Sequence, residues 1–442
     1  MKTHRIFSRA LLGCALAASF SAPFAQAPVP GIGPNPSLPA PSGKRLIPTV
    51  NIAPAQGWPQ GVMPRAAAGF KVTALATGLV HPRWVYTLPN GDVLVAESNK
   101  PAPKEGAKNV HAEGVRGKAM GLVMKRAGAA VPSADRITLL RDANGDGVAE
   151  TKTVFISGLT SPFGMALVGD ELFIANADAI VKVPYQAGQT SITATPVKVT
   201  DLPSGANHHW TKNIIASPDG SKLYATVGSN SNIGDNGMAS EEGRAAIWEV
   251  DRASGNKRLF ASGLRNPNGM GWEPQSRVLW TVVNERDELG NDLVPDYLTS
   301  VKDGAFYGWP WSYWGQNVDS RVKPANPEMV AKAIAPDYGL GAHVAPLGLV
   351  FSDPRMPGTY SSGAFIGQHG SWNRKELSGY NVVFVPFVGG KPSGPPQEFL
   401  GGFLSKEGKA YGRPVGVALD GKGALLVADD VGNVIWRVAP GG

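Results

Sequence analysis

Arg265-Asn266-Pro267-Asn268-Gly269 is the stretch that decides the fold, read beside a second cluster, Asn207-His208-His209-Trp210-Thr211-Lys212, about fifty residues upstream. Each opens a segment of one design: polar residues, a short apolar run, a turn and a second apolar run. His209 leads to Ile214-Ile215-Ala216, then the turn Ser217-Pro218-Asp219-Gly220, then Leu223-Tyr224-Ala225-Thr226-Val227. Arg265 leads to Gly269-Met270-Gly271-Trp272, a turn near Pro274-Gln275-Ser276, then Val278-Leu279-Trp280-Thr281-Val282-Val283. The same design follows His81-Pro82-Arg83-Trp84, Ser161-Pro162-Phe163-Gly164, Ala345-Pro346-Leu347-Gly348 and Arg413-Pro414-Val415-Gly416. Further apolar runs such as Ile247-Trp248-Glu249-Val250 and Val434-Ile435-Trp436-Arg437-Val438 complete several units. Short strands with Pro and Asp/Asn-Gly turns, recurring at about fifty to eighty residues, predict an all-β, six-bladed β-propeller. Seven blades is the nearest alternative, because residues 97–135 could hide further strands.

Composition agrees with a turn-rich single domain. Gly 55 and Pro 37 supply the turns, and large single-domain propellers are common at this length. The single cysteine, Cys14, excludes disulfides, cysteine-ligated metal and covalently attached c-type haem from the rest of the chain.

Lys2, Arg5 and Arg9, the apolar run from Ala10 to Phe20, and Ala25-Gln26-Ala27 have the layout of a secretory signal peptide. Residues 1–27 are therefore expected to be removed, placing the protein in the periplasm or outside the cell, with no transmembrane span in the mature chain. Cys14 has almost no apolar run before it, so no lipid anchor is expected there. Removing that segment takes three basic residues and no acidic one, lowering the net charge from +7 to +4. That is too mild to argue for nucleic acid. Residues 28–68, rich in Pro, Gly and Ala, are expected to form a flexible tether followed, from about Leu46, by an extended strap. Proline removes ladder donors, so no regular pairing is expected there. The propeller itself is assigned to residues 69–442.

In a propeller the first strand of every blade lines the central channel, so the residues preceding those strands crowd one mouth. Here they are His81-Pro82-Arg83, Thr160-Ser161-Pro162, His208-His209-Trp210, Arg265-Asn266-Pro267, His343-Val344-Ala345-Pro346 and Tyr411-Gly412-Arg413-Pro414. Scaffold packing needs only the prolines and the small or apolar residues. One buried Arg or His is commonly bonded to loop carbonyls, but several converging on one mouth read as a site.

At this point the chain resembles the pyrroloquinoline-quinone-dependent glucose/sorbosone dehydrogenases, most closely their sorbosone-dehydrogenase-like branch. The resemblance runs from about Gly69 to Val438. It rests on His209 before the Pro218-Asp219-Gly220 turn, Gly263-Leu264-Arg265-Asn266-Pro267, and Phe306-Tyr307-Gly308-Trp309-Pro310. Asn284-Glu285-Arg286-Asp287-Glu288 and Gln368-His369-Gly370-Ser371-Trp372-Asn373-Arg374 look particular to the sorbosone-like branch.

The resemblance implies an oxidoreductase that oxidises an aldose sugar or sugar aldehyde and passes electrons to an external acceptor, a separate cytochrome or quinone. The quinone cofactor carries three carboxylates and an electrophilic carbonyl, and so needs cations and a donor where charge develops. His209 matches the family's general base, with His208 beside it as a spare candidate. Arg265 matches the cation at the reacting carbonyl, Asn266 its neighbour, and Arg413 one carboxylate-binding arginine. Tyr411 stands where the soluble glucose enzymes have a second arginine. No Gly-Gly-Gln motif appears in the first blade; Arg116 or Lys118 is the replacement expected there. The fifth-blade lysine likewise has no match, and His369 or Arg374 stands nearby. The family's calcium would fall on the backbone carbonyls of Glu285 and Arg286.

Asp142-Ala143-Asn144-Gly145-Asp146-Gly147 is a separate signal, the first half of a calcium loop with oxygens at alternating positions. Asp142, Asn144, Asp146 and the Val148 carbonyl are the expected ligands of a second Ca²⁺; the plainer reading is a tight polar hairpin turn. Tyr307, Trp309, Trp311, Tyr313 and Trp314 form an aromatic cluster that reads equally as sugar-stacking surface or core. Two other functions remain open. A metal-dependent lactonase would need a Glu/Asn/Asp channel ring, and a non-catalytic carbohydrate- or protein-binding propeller would need no cofactor.

Overall fold

The computed structural model describes residues 29–42, 49–102, 121–205 and 209–441. Six antiparallel sheets are strung in chain order as propeller blades. Blade 1 holds Pro82–Thr87, Val93–Glu97, Arg136–Arg141 and Thr151–Ser157. Blade 2 holds Met165–Val168, Glu171–Ala175, Ala179–Pro184 and Val197–Asp201. Blade 3 holds Ile214–Ala216, Lys222–Val227, Ala246–Asp251 and Lys257–Ser262. Blade 4 holds Asn266–Trp272, Leu279–Asn284, Pro295–Ser300 and Tyr338–Ala342. Blade 5 holds Pro346–Phe351, Gly363–Gln368, Asn381–Val388 and Gln397–Gly401. Blade 6 holds Pro414–Leu419, Leu425–Asp429 and Val434–Pro440, and Phe70–Ala76 supplies its outermost strand, with Val72 opposite Val438. The described residues between Glu97 and Arg136 contain no strand, and the described sheets make six blades.

Burial follows position in the blade. Second strands such as Val93–Glu97 and Leu425–Asp429 are buried throughout, because both faces meet a neighbouring sheet. Outer strands are wetter: Val197–Asp201 has no buried residue.

The inner strands pack backbone to backbone at four glycines that follow Pro-x: Gly164, Gly269, Gly348 and Gly416. A Cβ on Gly348 would stand 2.3 Å from the Val415 carbonyl oxygen, and one on Gly269 2.5 Å from the Leu349 nitrogen. Only glycine permits that approach. Trp84, Phe163, Trp210, Leu347 and Val415, from five different blades, belong to one buried apolar cluster. They give the mouth an apolar floor.

The segment before the propeller is more regular than its prolines suggest. Ile32–Gly33 pairs with the outer strand of blade 4, and Arg65–Ala66 with that of blade 5. Each ladder is two residues long, using positions whose N–H groups proline leaves free. Residues 49–64 run as an extended strap across the mouth face. Asn373 Nδ2 donates to the Thr49 carbonyl (2.8 Å) and Trp58 Nε1 to Asp429 Oδ2 (2.6 Å).

Antiparallel pairing sets the start of each first strand beside the end of the second: Pro82 faces Glu97, Asn266 faces Asn284, and Pro414 faces Asp429. Each blade therefore brings two short segments to the same mouth.

Candidate functional site

The polar contacts of the mouth run in a closed circuit. His209 Nδ1 lies 2.9 Å from the Ser229 carbonyl oxygen and 3.1 Å from its Oγ. The Ser229 N–H donates to the Arg265 carbonyl (2.8 Å). Arg265 Nη2 contacts Asp287 Oδ2 (3.2 Å), whose Oδ1 is 3.3 Å from His343 Nδ1. Two residues on, the Ala345 carbonyl accepts from the His369 N–H (2.9 Å). His369 Nε2 then reaches Asp430 Oδ2 (2.8 Å), which also binds Arg83 Nη1. The Arg83 guanidinium lies 5.8 Å from the centre of the Trp210 ring, next in sequence to His209. His209 and Arg265 thus stand on one mouth, with Asn266 between them: a Cβ on Gly228 would be 2.3 Å from Asn266 Oδ1 and 2.5 Å from His209 Cβ.

A carbonyl oxygen can only accept, so in the neutral imidazole Nδ1 of His209 carries the proton and Nε2 keeps the lone pair. That is the tautomer a general base requires.

Arg265 is held differently. Nη1 donates to the Glu285 (2.7 Å) and Asn284 (3.4 Å) carbonyls. Nη2 donates to Asn232 Oδ1 (3.0 Å) and Asp287 Oδ2 (3.2 Å), and Nε to the Asn232 carbonyl (3.4 Å). All five guanidinium N–H groups have acceptors in the protein, and the longest two are the ones open to exchange.

Arg83, Arg374 and Arg413 each keep a buried Nε without a partner. Arg413 donates Nη2 to the Ala53 carbonyl of the strap (2.9 Å) and lies 4.9 Å over the Tyr380 ring. Arg374 pairs with Asp292 (3.2 Å). Arg116, Lys118 and His208 lie outside the described residues.

Burial disfavours charge on Asp287 and Asp430, yet both carboxyls are held below their usual range. His343 and Arg265 outweigh burial at Asp287, and His369, His81 and Arg83 at Asp430. Burial pushes His369 down to about 4, so it meets Asp430 as a neutral N–H donor. His343 is pulled the other way: against burial, Asp287 raises its pKa, and Nε2 rests 3.0 Å from the Gly290 carbonyl. Beneath Arg265, burial raises Glu285 to about 7 and Asp296 to about 6.

For a polyanionic quinone the donor set fits: three orphaned guanidinium N–H groups on mouth arginines need acceptors, and carboxylates or ring carbonyls supply them. For a cation on the Glu285 carbonyl the fit fails, because Arg265 Nη1 already stands 2.7 Å from it and takes the place of the metal. Arg286 itself is committed to Asp319.

The Asp142 loop lies outside this mouth, packed against blade 6 through Lys422 Nζ and the Gly145 carbonyl (3.2 Å). Carboxylate oxygens of Asp142, Asp146 and Glu150 lie within 4.8 Å of one another. The Asn144 and Asp146 side chains are also turn acceptors, for the Asp146 and Val148 N–H groups (2.8 Å each). Glu150, which the sequence does not single out, joins the two aspartates in this cluster.

Asp430, Ser229 and Asn232 were not picked out from the sequence, and Asp287 entered only as a member of a motif, with no role given to it. All four sit at or just after the end of a second strand, the half of the mouth that the first-strand rule passes over. The pairing rule of antiparallel hairpins could have found them.

A sequence model of the family described as TrAA12-like matches residues 132–298 and 324–440, more than half of the chain. An AA12 carbohydrate-active enzyme from Trichoderma reesei superposes with a TM-score of 0.69 at 19% identity, covering 89% of this chain and 99% of that one. The holo form of the pyranose dehydrogenase PQQ domain from Coprinopsis cinerea gives 0.68 at 20% identity, covering 88% and 100%. At those identities the likeness shows the fold. The aldose sugar dehydrogenase YliI of Escherichia coli is 30% identical over 135 residues, 30% of this chain and 32% of that protein.

Proposed function

The chain belongs to the TrAA12-like family, and from that membership and the chemistry of its mouth we propose that it is a sugar oxidoreductase dependent on pyrroloquinoline quinone. The substrate class is an aldose sugar or sugar aldehyde, of the glucose or sorbosone type. The observation that carries the reading is the set of unspent N–H groups on Arg83, Arg374 and Arg413, arginines of the mouth that His209 also belongs to. The relatives named for sugar dehydrogenation and for the PQQ domain support it.

When bound, the quinone supplies a two-electron acceptor that no side chain can provide. Arg83, Arg374 and Arg413 would hold its carboxylates, with Asn266 and His369 beside them. His209 takes the proton of the sugar hydroxyl at Nε2, its ring fixed by Ser229. Arg265 contributes a fixed positive charge next to that base; Asp287 keeps it in place and offsets part of the charge. Trp210 and Phe163 form a dry floor that strengthens both effects. Electrons leave to a separate cytochrome or quinone. We place the protein in the periplasm or outside the cell, and a Ca²⁺ on Asp142, Asp146 and Glu150.

The test is dye-linked oxidation of a sugar and aldehyde panel by protein incubated with quinone, beside spectrophotometric titration of quinone uptake. Arg413→Ala and Arg83→Ala are each expected to weaken uptake about tenfold or more, since each strips a charge-assisted contact. A non-catalytic carbohydrate-binding propeller is the second reading, favoured by the fully engaged Arg265. Sugar binding without quinone uptake or turnover would establish it.

A further inference from the structure

Two motifs singled out in the sequence, Gly263-Leu264-Arg265-Asn266-Pro267 and Phe306-Tyr307-Gly308-Trp309-Pro310, are mated in space. The Tyr307 and Trp309 N–H groups donate to the Ser262 (2.9 Å) and Gly263 (3.1 Å) carbonyls. The fit is close: a Cβ on Gly263 would stand 2.6 Å from Phe306 Cε2 and 2.7 Å from the Gly308 nitrogen. From that seat the Trp309 indole reaches over and donates Nε1 to the Asn232 carbonyl (2.9 Å).

Asn232 is the residue on which the contacts of Arg265 converge. Its Oδ1 accepts from Arg265 Nη2 (3.0 Å) and from the Asp287 N–H (2.9 Å). Its carbonyl accepts from Arg265 Nε (3.4 Å), and its Nδ2 donates to the Asp287 carbonyl (3.3 Å). One side chain from blade 3 therefore grips both members of a blade 4 ion pair, and Trp309 grips it in turn. Trp309 is 4% exposed, so its indole N–H is a buried donor with a single task.

We propose that Asn232 is a positioning residue of the reaction at this mouth, setting the Arg265–Asp287 pair in place across the interface of blades 3 and 4, with Trp309 as its anchor. The inference rests on the sugar-oxidoreductase reading above. It also gives the aromatic motif its purpose: Trp309 is a clamp, not a surface for stacking sugar.

Three variants test it: Asn232→Ala, Asn232→Asp and Trp309→Phe. Misplacing a charge by about an ångström near the reacting atoms costs on the order of a hundredfold. Asn232→Ala should therefore lose roughly thirty- to hundredfold in kcat of the quinone-loaded protein, with KM for sugar changed less than about threefold. Trp309→Phe keeps an aromatic ring in the site but removes the N–H along with part of the indole's volume; it should lose about three- to tenfold, and the double variant less than the product of the two. Asn232→Asp retains both acceptor contacts but sets a second carboxylate beside Asp287, so it should recover kcat in part while weakening quinone uptake. A crystal structure of Asn232→Ala without quinone should show the Arg265 guanidinium moved from its present acceptors. A purely structural role would lower Tm and spare kcat. An active parent with kcat and the Arg265 position unchanged in Asn232→Ala overturns the clamp alone. A parent that takes no quinone and oxidises no sugar overturns the functional reading, and a displaced Arg265 in Asn232→Ala would then still show the clamp to be real.

Discussion

Lys212 is fully buried, and the acceptor seen for its ammonium is the Trp210 carbonyl at 3.3 Å. Burial drives its pKa from 10.5 down to about 7. Lys212→Met keeps the unbranched stem and removes the ionisable end, and we predict that it stabilises the protein. At about 1.36 kcal/mol per pH unit, the interval from 10.5 to about 7 sets a ceiling of about 5 kcal/mol on the cost of burying the amine. Loss of the long hydrogen bond returns about 1 kcal/mol, and imperfect packing of the thioether about another. The expected gain at pH 7 is therefore about 3 kcal/mol, or roughly 3–4 °C in Tm for a chain of this size. The pH dependence fixes the cause. The unfolded chain keeps this lysine protonated up to about 10.5, while the folded protein releases the proton near 7. Between those values the unfolded state binds more protons, so parental stability rises with pH across that window and is level below it. The advantage of methionine should be full at pH 7 and below and fade as pH approaches 10.5. Thermal or urea unfolding of both proteins at pH 6.5 and 9.5 gives the answer. A variant less stable than the parent at both pH values, or a gap that ignores pH, refutes the reasoning.

Removing the imidazole in His209→Ala should leave quinone uptake intact, because no cofactor cation is lost, yet cost roughly a hundredfold or more in dye-linked turnover; full turnover would move the base to His208 or His369. Asp142→Ala with Asp146→Ala should abolish one bound Ca²⁺ in a metal assay and lower Tm without touching sugar oxidation. Equal metal content in both proteins would reduce the loop to a turn. Gly348→Ala puts a methyl 2.3 Å from the Val415 carbonyl oxygen, and chemical denaturation should show a loss of about 2–4 kcal/mol, since backbone cannot step aside; parental stability would mean that the inner strands are looser than drawn.

The repeat was legible because both faces of every blade are buried. Leu223-Tyr224-Ala225-Thr226-Val227 and its counterparts had to be short, continuous and apolar, and the turns between them had to be Pro, Asp and Gly. The blade count followed, and so did the crowding of His209, Arg265 and Arg413 at the starts of first strands. Asp430 and Asp287 were not legible, since a carboxylate near a strand end reads as a turn residue until its partners are known. Arg83 and His369 meet Asp430 across sequence gaps of 347 and 61 residues. The Glu285 carbonyl shows the opposite difficulty. A backbone atom carries no side-chain signature, so nothing in the sequence foretold that Arg265 would occupy it. The pairing of Ile32–Gly33 was hidden by the prolines around it, which forbid long ladders and permit short ones.

The strand Phe70–Ala76 is among the first of the propeller to be synthesised, and its partner Val434–Pro440 is the last. At about 5–20 residues per second on the ribosome, it waits roughly 20–70 s for that partner to be made. During that interval Phe70, Val72 and Leu75 belong to an unpaired edge, the kind that recruits other chains into aggregates. Five blades can assemble while the ring stays open, and the final pairing converts an arc into a circle at a stroke. The molecule's vulnerability is therefore concentrated in time: it is greatest during synthesis, and it ends when the propeller's last strand meets its first.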